Sequence, residues 1–120
     1  MSRMEKLIEG NRQAARGFLK PTEKLLSFVV GWDERTKGQG WLMATPTGLV
    51  YYFQTVVAPE RLFVPYHRVT KVTLLNLLLL IRLRVQWAEG TIRVGGINRA
   101  CPYREFVALV REKINSDQPG

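Results

Sequence analysis

The central part of the chain, residues 25–100, consists of short β-prone runs separated by glycine and proline. Aromatic and β-branched residues dominate the runs, and the segments between them are rich in turn-forming residues. The seven runs that we assign as strands cover residues 25–31, 41–45, 49–55, 61–66, 68–73, 82–87 and 92–94. So many short strands in succession predict an antiparallel meander.

Amphipathic segments lie on both sides of this part. In residues 1–20, apolar side chains recur at helical spacing, and Pro21 ends the pattern because proline disfavours a helix at the residue before it. Residues 102–114 carry a second stripe at the same spacing. The two stripes consist of Met4, Leu7, Ile8, Ala15, Phe18 and Leu19, and of Tyr103, Phe106, Leu109, Val110 and Ile114. We therefore predict an N-terminal helix in 1–20, an α+β domain in 21–116 and a polar tail in 117–120, the domain being a seven-stranded antiparallel sandwich or barrel closed by its C-terminal helix.

The run 82–87 alternates most strictly, so it predicts a strand with one polar and one apolar face. We place the following turn at Glu89 and Gly90, which returns the chain through residues 92–94. The cross-strand pairs predicted by that register are Trp87 with Ile92, Val85 with Val94 and Gln86 with Arg93. The outer face of the hairpin then holds three arginines, Arg82, Arg84 and Arg93.

Residues 74–81 form the longest nearly continuous apolar stretch, far shorter than the ~20 residues of a membrane span. Carrying the alternation of the next strand back through it places Leu75, Leu77, Leu79 and Ile81 inside, and Leu74, Asn76, Leu78 and Leu80 outside. Outward leucines of this kind are usually covered, so we expect the N-terminal helix to pack over them, in the same chain or in a neighbouring copy. The residues expected in that contact are Leu7, Ile8, Phe18, Leu78 and Leu80. The alternative is a strand buried on both faces within one domain.

The residue types offer little for catalysis. The chain has one histidine and one cysteine, which cannot form a disulfide or hold zinc within one chain. We interpret His67 as a half-exposed strand residue and Cys101 as a buried residue before the closing helix, since no second histidine could act as its base. Asp33 and Glu34 are neighbours in a loop with no marked partner for acid–base chemistry. We therefore expect no enzyme activity, no metal and no cofactor.

Two motifs and the closing helix carry a resemblance. Residues 41–52, WLMATPTGLVYY, form an apolar run that reaches a threonine-centred turn and resumes as an apolar run. Residues 64–72, VPYHRVTKV, are similar to an I-P-Y-x-x-I-x-x-V segment. Together with the helix at 102–114, these features resemble the bacterial pleckstrin-homology-like (PH-like) and GRAM domains over about residues 22–115.

The resemblance implies a PH-like sandwich or barrel that serves as a scaffold for protein or lipid contacts, usually without catalysis. Some bacterial members of the family form rings, so the resemblance also implies self-assembly. Eukaryotic PH domains that bind phosphoinositides carry lysine and arginine on their first loop. The corresponding loop here offers only Arg35 and Lys37, whose charges are offset by Asp33 and Glu34, and this departure from the family pattern argues against that mode of phosphoinositide binding.

Our leading prediction for function is a non-enzymatic module for protein interaction or self-assembly, whose partner is another protein or further copies of the chain. The net charge of +8 favours phosphate-bearing partners, so the alternative is a peripheral membrane module that binds anionic lipid. The side chains expected to face the anion are Arg35, Lys37, Arg82, Arg84 and Arg93, and those of the helix expected in the bilayer are Met4, Leu7, Ile8 and Phe18.

A nucleic-acid-binding barrel is the least favoured function. Alternation places Tyr51 and Phe53 on one face and Tyr52 on the other, so these rings offer no continuous stacking surface. The N-terminal residues lack the apolar block of a signal peptide, which predicts a cytoplasmic location, at the membrane periphery if the chain binds lipid.

Overall fold

The computed structural model describes residues 2–117, in which two α-helices accompany a seven-stranded sheet. The elements are α1 (Arg3–Arg16), β1 (Ser27–Asp33), β2 (Gln39–Ala44), β3 (Gly48–Gln54), β4 (Pro59–Pro65), a 3-10 helix (Tyr66–Arg68), β5 (Val69–Asn76), β6 (Ile81–Trp87), β7 (Gly90–Gly95) and α2 (Tyr103–Asp117). All neighbouring strands are antiparallel. The predicted α+β class, with seven antiparallel strands and a helix near each end, is confirmed.

The sheet is open rather than closed. Its strand order is β4-β3-β2-β1-β7-β6-β5, so β4 and β5 form the two edges within the described residues. The two halves of the meander join through a short pairing of β1 with β7, at Trp32–Gly95 and Asp33–Val94. This architecture fits either a sandwich or an open barrel, and it places the end of β1 beside the β6–β7 hairpin.

Strands β1 to β3 are buried on both faces. All residues from 27 to 30 in β1 and from 40 to 44 in β2 are buried, with no exposed position in the alternation. Such continuous burial requires cover on each side of the sheet. Helix α2 packs against β1 and β5, and α1 with the residues after it supplies the second cover.

The cover from the N-terminal region depends on one aromatic side chain. The ring of Phe18 stacks on Tyr52 with centroids 4.4 Å apart and contacts Trp41 at 5.2 Å. Helix α1 itself is fixed to the segment before α2, because the side-chain amide of Asn11 donates to the carbonyl oxygen of Ala100 at 2.9 Å. The helix and Phe18 after it together cover the neighbouring strands β1–β3.

The segment after α1 is fastened to the edge strand β4. The Glu23 carboxylate pairs with the guanidinium of Arg61 and accepts a hydrogen bond from the backbone N–H of Lys20 at 2.7 Å. Burial raises the pKa of Glu23, but the hydrogen bonds from Arg61 and Lys20 outweigh it and hold this pKa below its usual value. The ion pair thus joins the segment after α1 to the edge strand β4.

Helix α2 buries the predicted stripe against the core. Phe106, Val110 and Ile114 are buried, whereas Tyr103 and Leu109 at the border of the stripe are partly buried. The helix continues to Asp117, the first residue of the predicted polar tail, and the remaining residues 118–120 lie outside the described part of the chain.

The predicted register of the β6–β7 hairpin is wrong by two residues. Trp87 pairs with Gly90, so the two-residue turn consists of residues 88 and 89 and lies one residue earlier in the chain than predicted. The observed pairs include Val85 with Ile92, Leu83 with Val94 and Arg84 with Arg93. A shift of two residues preserves which face each side chain occupies. The outer face with Arg82, Arg84 and Arg93 is therefore as predicted, but its cross-strand pairs differ.

The predicted alternation through residues 74–81 is wrong because a turn divides that stretch. Strand β5 ends at Asn76 and β6 begins at Ile81, so residues 77–80 form the hairpin turn. Leu74, expected outside, packs partly buried against the core, whereas Leu75, Leu77 and Leu79, expected inside, are exposed. The pattern of β6 cannot be carried through a turn, since each strand sets its own alternation. The alternative of one strand buried on both faces is also wrong.

The predicted docking of the N-terminal helix on this stretch within one chain is also wrong. Leu78 is 90% exposed, and Phe18 lies on Trp41 and Tyr52 instead. Phe18 is therefore committed to the core and is not available to a bilayer, in contrast to the alternative prediction. Leu7 is exposed and Ile8 partly buried on α1, and Leu80 is partly buried at the end of the turn. Contact with a neighbouring copy stays a prediction.

Candidate anion-binding groove

An open groove of about 680 Å³ lies where the loop between β1 and β2 meets the hairpin of β6 and β7. Its lining combines basic, acidic and aromatic side chains. The basic residues are Arg35, Lys37, Arg82 and Arg93, the acidic ones Asp33, Glu34 and Glu89, and the aromatic ones Trp32, Tyr51, Phe53 and Trp87. Four of the five residues that we predicted to face an anion thus line one cavity.

The fifth predicted residue, Arg84, lines an adjoining depression of about 300 Å³. Glu34, Arg82 and Arg93 line both hollows, so the two form a continuous surface. We call the arginines Arg82, Arg84 and Arg93 on the outer side of β6 and β7 the basic face. The structure therefore brings all five predicted cations together, although they come from one loop and two strands.

The loop that carries Arg35 and Lys37 is held by Asp33, a buried residue with 4% exposure. One Asp33 carboxylate oxygen accepts a hydrogen bond from the Tyr51 hydroxyl and the other from the backbone N–H of Thr36, each at 2.8 Å. Burial and the Asp33 carboxylate raise the pKa of Tyr51 far above its usual value, so the phenol stays protonated as the donor. Asp33 consequently organises the loop, and its carboxylate is already occupied within the chain.

The backbone of this loop is strained at Lys37, whose φ is +65°. The left-handed region is one that side-chain-bearing residues seldom adopt. The Lys37 N–H nevertheless donates to the Asp33 carbonyl at 2.8 Å, and the Asp33 N–H donates to the Gly38 carbonyl at 2.7 Å. These bonds fix Lys37 at the rim of the groove.

The basic face brings like charges into direct contact. Arg84 and Arg93 lie directly opposite each other in the antiparallel pair, and both are exposed. Opposed residues of an antiparallel ladder have Cβ atoms only about 4.5–5.5 Å apart, and like charges there are destabilising. Among the described residues, neither of these two arginines has a carboxylate partner.

The acidic residues of the groove do have partners. Glu34 forms an ion pair with Arg82, with Oε1 and Nε 3.1 Å apart, and Glu89 pairs with Arg68 from outside the groove. Asp33 is satisfied by Tyr51 and Thr36, as described above. Among the charged side chains that line the groove and the adjoining depression, those whose charged group has neither an ion pair nor a hydrogen bond in the described residues are therefore all basic: Arg35, Lys37, Arg84 and Arg93.

The aromatic walls of the groove were not predicted. The Arg35 guanidinium lies 5.8 Å from the centroid of Phe53, which stacks on Tyr51 at 4.8 Å. Trp32 is exposed and packs on Gly96, where φ is +50° and an added Cβ would lie 1.9 Å from the indole ring. The sequence signal that could have indicated a binding surface was the position of this tryptophan, which directly precedes a polar loop.

The remaining reactive side chains lie elsewhere. His67 is exposed in the 3-10 helix rather than in the strand that we expected. Cys101 is buried, its thiol donates to the Asn98 carbonyl at 2.8 Å, and burial raises its pKa to about 11. Within residues 2–117, no three His, Cys, Asp or Glu side chains are grouped as a metal site would require. Neither helix of the described chain is long and apolar enough to span a bilayer.

Comparisons with known proteins support the fold alone. No family model matches the chain, and no curated protein matches its sequence. In structure, the chain is similar to the C-terminal domain of an unknown protein from Leishmania infantum, with a TM-score of 0.55. The two share 22% sequence identity, over 89% of this chain and 98% of that one. Most of this fold thus has a counterpart in a solved structure.

Proposed function

We propose that this chain is a non-enzymatic, PH-like binding module that recognises an anionic, phosphate-bearing membrane surface through its groove and basic face. The observation that carries the proposal is the Arg84–Arg93 pair, opposed across the ladder without a carboxylate partner among the described residues. Repulsion between such neighbours is relieved when an anion binds between or over them. The resemblance of residues 22–115 to PH-like domains, a family of lipid and protein scaffolds, supports the same function.

The groove has the dimensions and lining of a ligand site. Its volume of about 680 Å³ falls in the ~300–1,000 Å³ range of small-molecule pockets. Phe53 and Trp87 provide apolar walls, while Arg35 and Lys37 stand on a loop that Asp33 holds in place. A preorganised loop binds an anion at a lower entropic cost than a mobile one. A phosphorylated headgroup would therefore find both charge and shape complementarity.

Charge also determines the expected strength and salt dependence of binding. Each lysine or arginine near an anionic bilayer contributes about 1 kcal/mol, and the attraction decays over a Debye length of about 8 Å at physiological salt. Four unpartnered cations on one surface would thus supply moderate, salt-sensitive binding. This reversible regime is the one expected for a peripheral module.

Vesicle flotation with two matched double variants tests the proposal. Arg84→Glu with Arg93→Glu alters the basic face, whereas Lys24→Glu with Arg104→Glu makes the same change of net charge at exposed positions outside the groove. The parental chain should float with phosphatidylcholine–phosphatidylserine vesicles and not with phosphatidylcholine alone. The first variant should lose about 2 kcal/mol, roughly thirty-fold, and the second much less. Both should unfold within about 0.5 kcal/mol per site of the parental chain.

Two results would contradict the proposal. If the parental chain shows no preference for anionic vesicles, the basic face does not recognise a membrane. If the two double variants lose binding equally, net charge alone accounts for it and the groove has no special role.

Self-assembly, our leading prediction from the sequence, is a second candidate, and one observation favours it. Leu78 and Leu79 are almost fully exposed, and large exposed apolar groups often mark contacts between proteins. Light scattering on the purified chain tests this candidate, since a mass at a multiple of the monomer supports it and a monomer contradicts it. Nucleic acid is not proposed, because Tyr51 and Phe53 are buried and Tyr52 stacks on Phe18.

A further inference from the structure

The turn between β5 and β6 presents four consecutive leucines, Leu77 to Leu80, at the tip of a hairpin. Leu78 and Leu79 are 90% and 93% exposed, and Leu77 is exposed as well. Hairpin turns are ordinarily built from glycine, asparagine, aspartate and other polar residues. The apolar composition of this turn therefore requires an explanation beyond chain reversal.

The exposed turn has a defined conformation. The Leu77 N–H donates to the Leu80 carbonyl at 2.8 Å, and the Leu80 N–H donates to the Leu77 carbonyl at 3.3 Å. From outside the hairpin, the Arg99 guanidinium donates to the carbonyl oxygen of Leu78 at 3.0 Å. The turn is consequently held in a shape that presents leucine side chains outward.

Arginines lie near the leucines, on the outer face of the hairpin and at the turn itself. Leu75, the last outward residue of β5 before the turn, pairs with Arg82 across the hairpin and lines the same depression as Arg84 and Arg93. Arg82 follows Leu80 by two residues, or about 7 Å along a strand. Arg99 contacts the turn itself. An apolar tip with arginines beside it is complementary to the acyl chains and phosphates of an anionic bilayer, whose boundary an interfacial element enters by about 5–10 Å.

We propose that the leucine turn, residues 77–80, inserts into the acyl-chain boundary of an anionic bilayer while Arg82, Arg84 and Arg99 contact the lipid phosphates. This inference rests on the proposed function and specifies how the module holds the membrane. A second copy of the chain fits the turn less well, because a symmetric contact through this hairpin would bring the same arginines against each other. Leucine insertion adds an apolar contribution that the basic face alone lacks, so binding should be less sensitive to salt than charge alone predicts.

The experiment compares two exposed apolar turns of this chain. Leu78→Ser with Leu79→Ser removes the leucine tip, and Val56→Ser with Val57→Ser makes an equivalent change in the β3–β4 turn, where the valines are 99% and 94% exposed. Neither pair contributes to the core, so both variants should keep the parental melting temperature. The leucine variant should lose about ten-fold or more in partition to phosphatidylcholine–phosphatidylserine vesicles, and the valine variant should not.

A probe at the tip measures the depth of insertion directly. Leu78→Cys and Val56→Cys are labelled with an environment-sensitive fluorophore, and the parental chain measures the background from buried Cys101. On anionic vesicles, the label at position 78 should shift to the blue and be quenched by lipids that carry spin labels on the acyl chain. The label at position 56 should remain in an aqueous environment.

Each contrary result has a distinct meaning. If the leucine variant partitions to anionic vesicles as strongly as the parental chain, insertion of the turn is refuted and the proposed membrane recognition stands. If only the valine variant loses partition, the β3–β4 turn contacts the membrane and the assignment of residues 77–80 is wrong. If the parental chain does not bind anionic vesicles, both proposals fail. If the parental chain is an oligomer that the leucine variant converts to a monomer with unchanged partition, the turn binds a second copy instead.

Discussion

Two apolar surfaces of this molecule differ in their exposure to solvent. The face of β1–β3 that carries Trp41 and Tyr52 is covered by Phe18 and α1 within the same chain, whereas the leucine turn is bare. Both stand out in the sequence as clusters of large apolar residues. The difference shows that hydrophobicity marks a surface as needing a partner, while chain connectivity decides whether the chain itself provides one.

The largest effect is expected when the internal cover is removed. Deletion of residues 1–20 takes away Phe18 and Ala15, which is fully buried, and leaves the apolar face of β1–β3 open to water. We expect the truncated chain to aggregate or to lose several kcal/mol of unfolding free energy. Size-exclusion chromatography with light scattering and a thermal melt measure this. A truncated chain that stays monodisperse with an unchanged melting temperature would show that the cover is dispensable.

A matched pair of alanine substitutions sharpens the contrast. Phe18→Ala removes a partly buried ring that stacks on Tyr52, so we expect a loss of about 2–3 kcal/mol in the free energy of unfolding. Leu78→Ala alters a side chain that is bare in the folded chain, so its change should stay within about 0.5 kcal/mol. Denaturant unfolding of both variants measures the difference. Equal losses would mean that the two apolar surfaces do not differ in the way the contacts indicate.

The smallest change in the free energy of unfolding is expected at the ion pair that joins the segment after α1 to β4. Glu23→Gln breaks the ion pair with Arg61, and we expect a loss of no more than about 1 kcal/mol near neutral pH. Because the pKa of Glu23 is lowered in the folded chain, its contribution is present above the unfolded pKa and disappears as the pH falls through the lowered value. Unfolding of the parental chain and of the variant, compared from neutral to acidic pH, should therefore converge at low pH. A gap that persists in acid would assign the loss to packing instead of charge.

The sequence could predict the secondary structure and the faces of the strands because periodicity is a local property. The β6 strand shows this, since Arg82 and Arg84 are exposed and Leu83 and Val85 buried as expected. The pairing of β6 with β7 depends on where the turn falls, and Glu89–Gly90 and Ala88–Glu89 are equally compatible with the same alternation. The face was therefore predictable although the register was not.

The position of the N-terminal helix could not be predicted from its own stripe. The apolar stripe predicts that α1 packs against an apolar surface, but both residues 74–81 and strands β1–β3 offer such a surface. The deciding signal lay in the strands, where residues 41–45 read as an unbroken apolar run without an exposed position. Such a run indicates a strand covered on both faces, whereas the leucine stretch was a turn.

The candidate site was predictable in its charges and not in its shape. Arg35 and Lys37 belong to a loop and Arg82, Arg84 and Arg93 to a hairpin more than forty residues later, so only the β1–β7 pairing brings them together. The role of Asp33 as the organiser of the loop depends on Tyr51, which reaches it from a strand two positions away in the sheet. Such contacts between distant parts of the chain leave no periodic signature.

The left-handed backbone at Lys37 has a practical consequence for anyone who sets out to make a more robust version of this protein. Glycine would accept φ of +65° without the penalty of about 1 kcal/mol that a side chain incurs there. The same exchange would delete an ammonium group from the mouth of the cavity. Under the proposed function, stability and anion binding therefore favour different residues at this position, and a thermostability screen without a binding assay would select against the lysine.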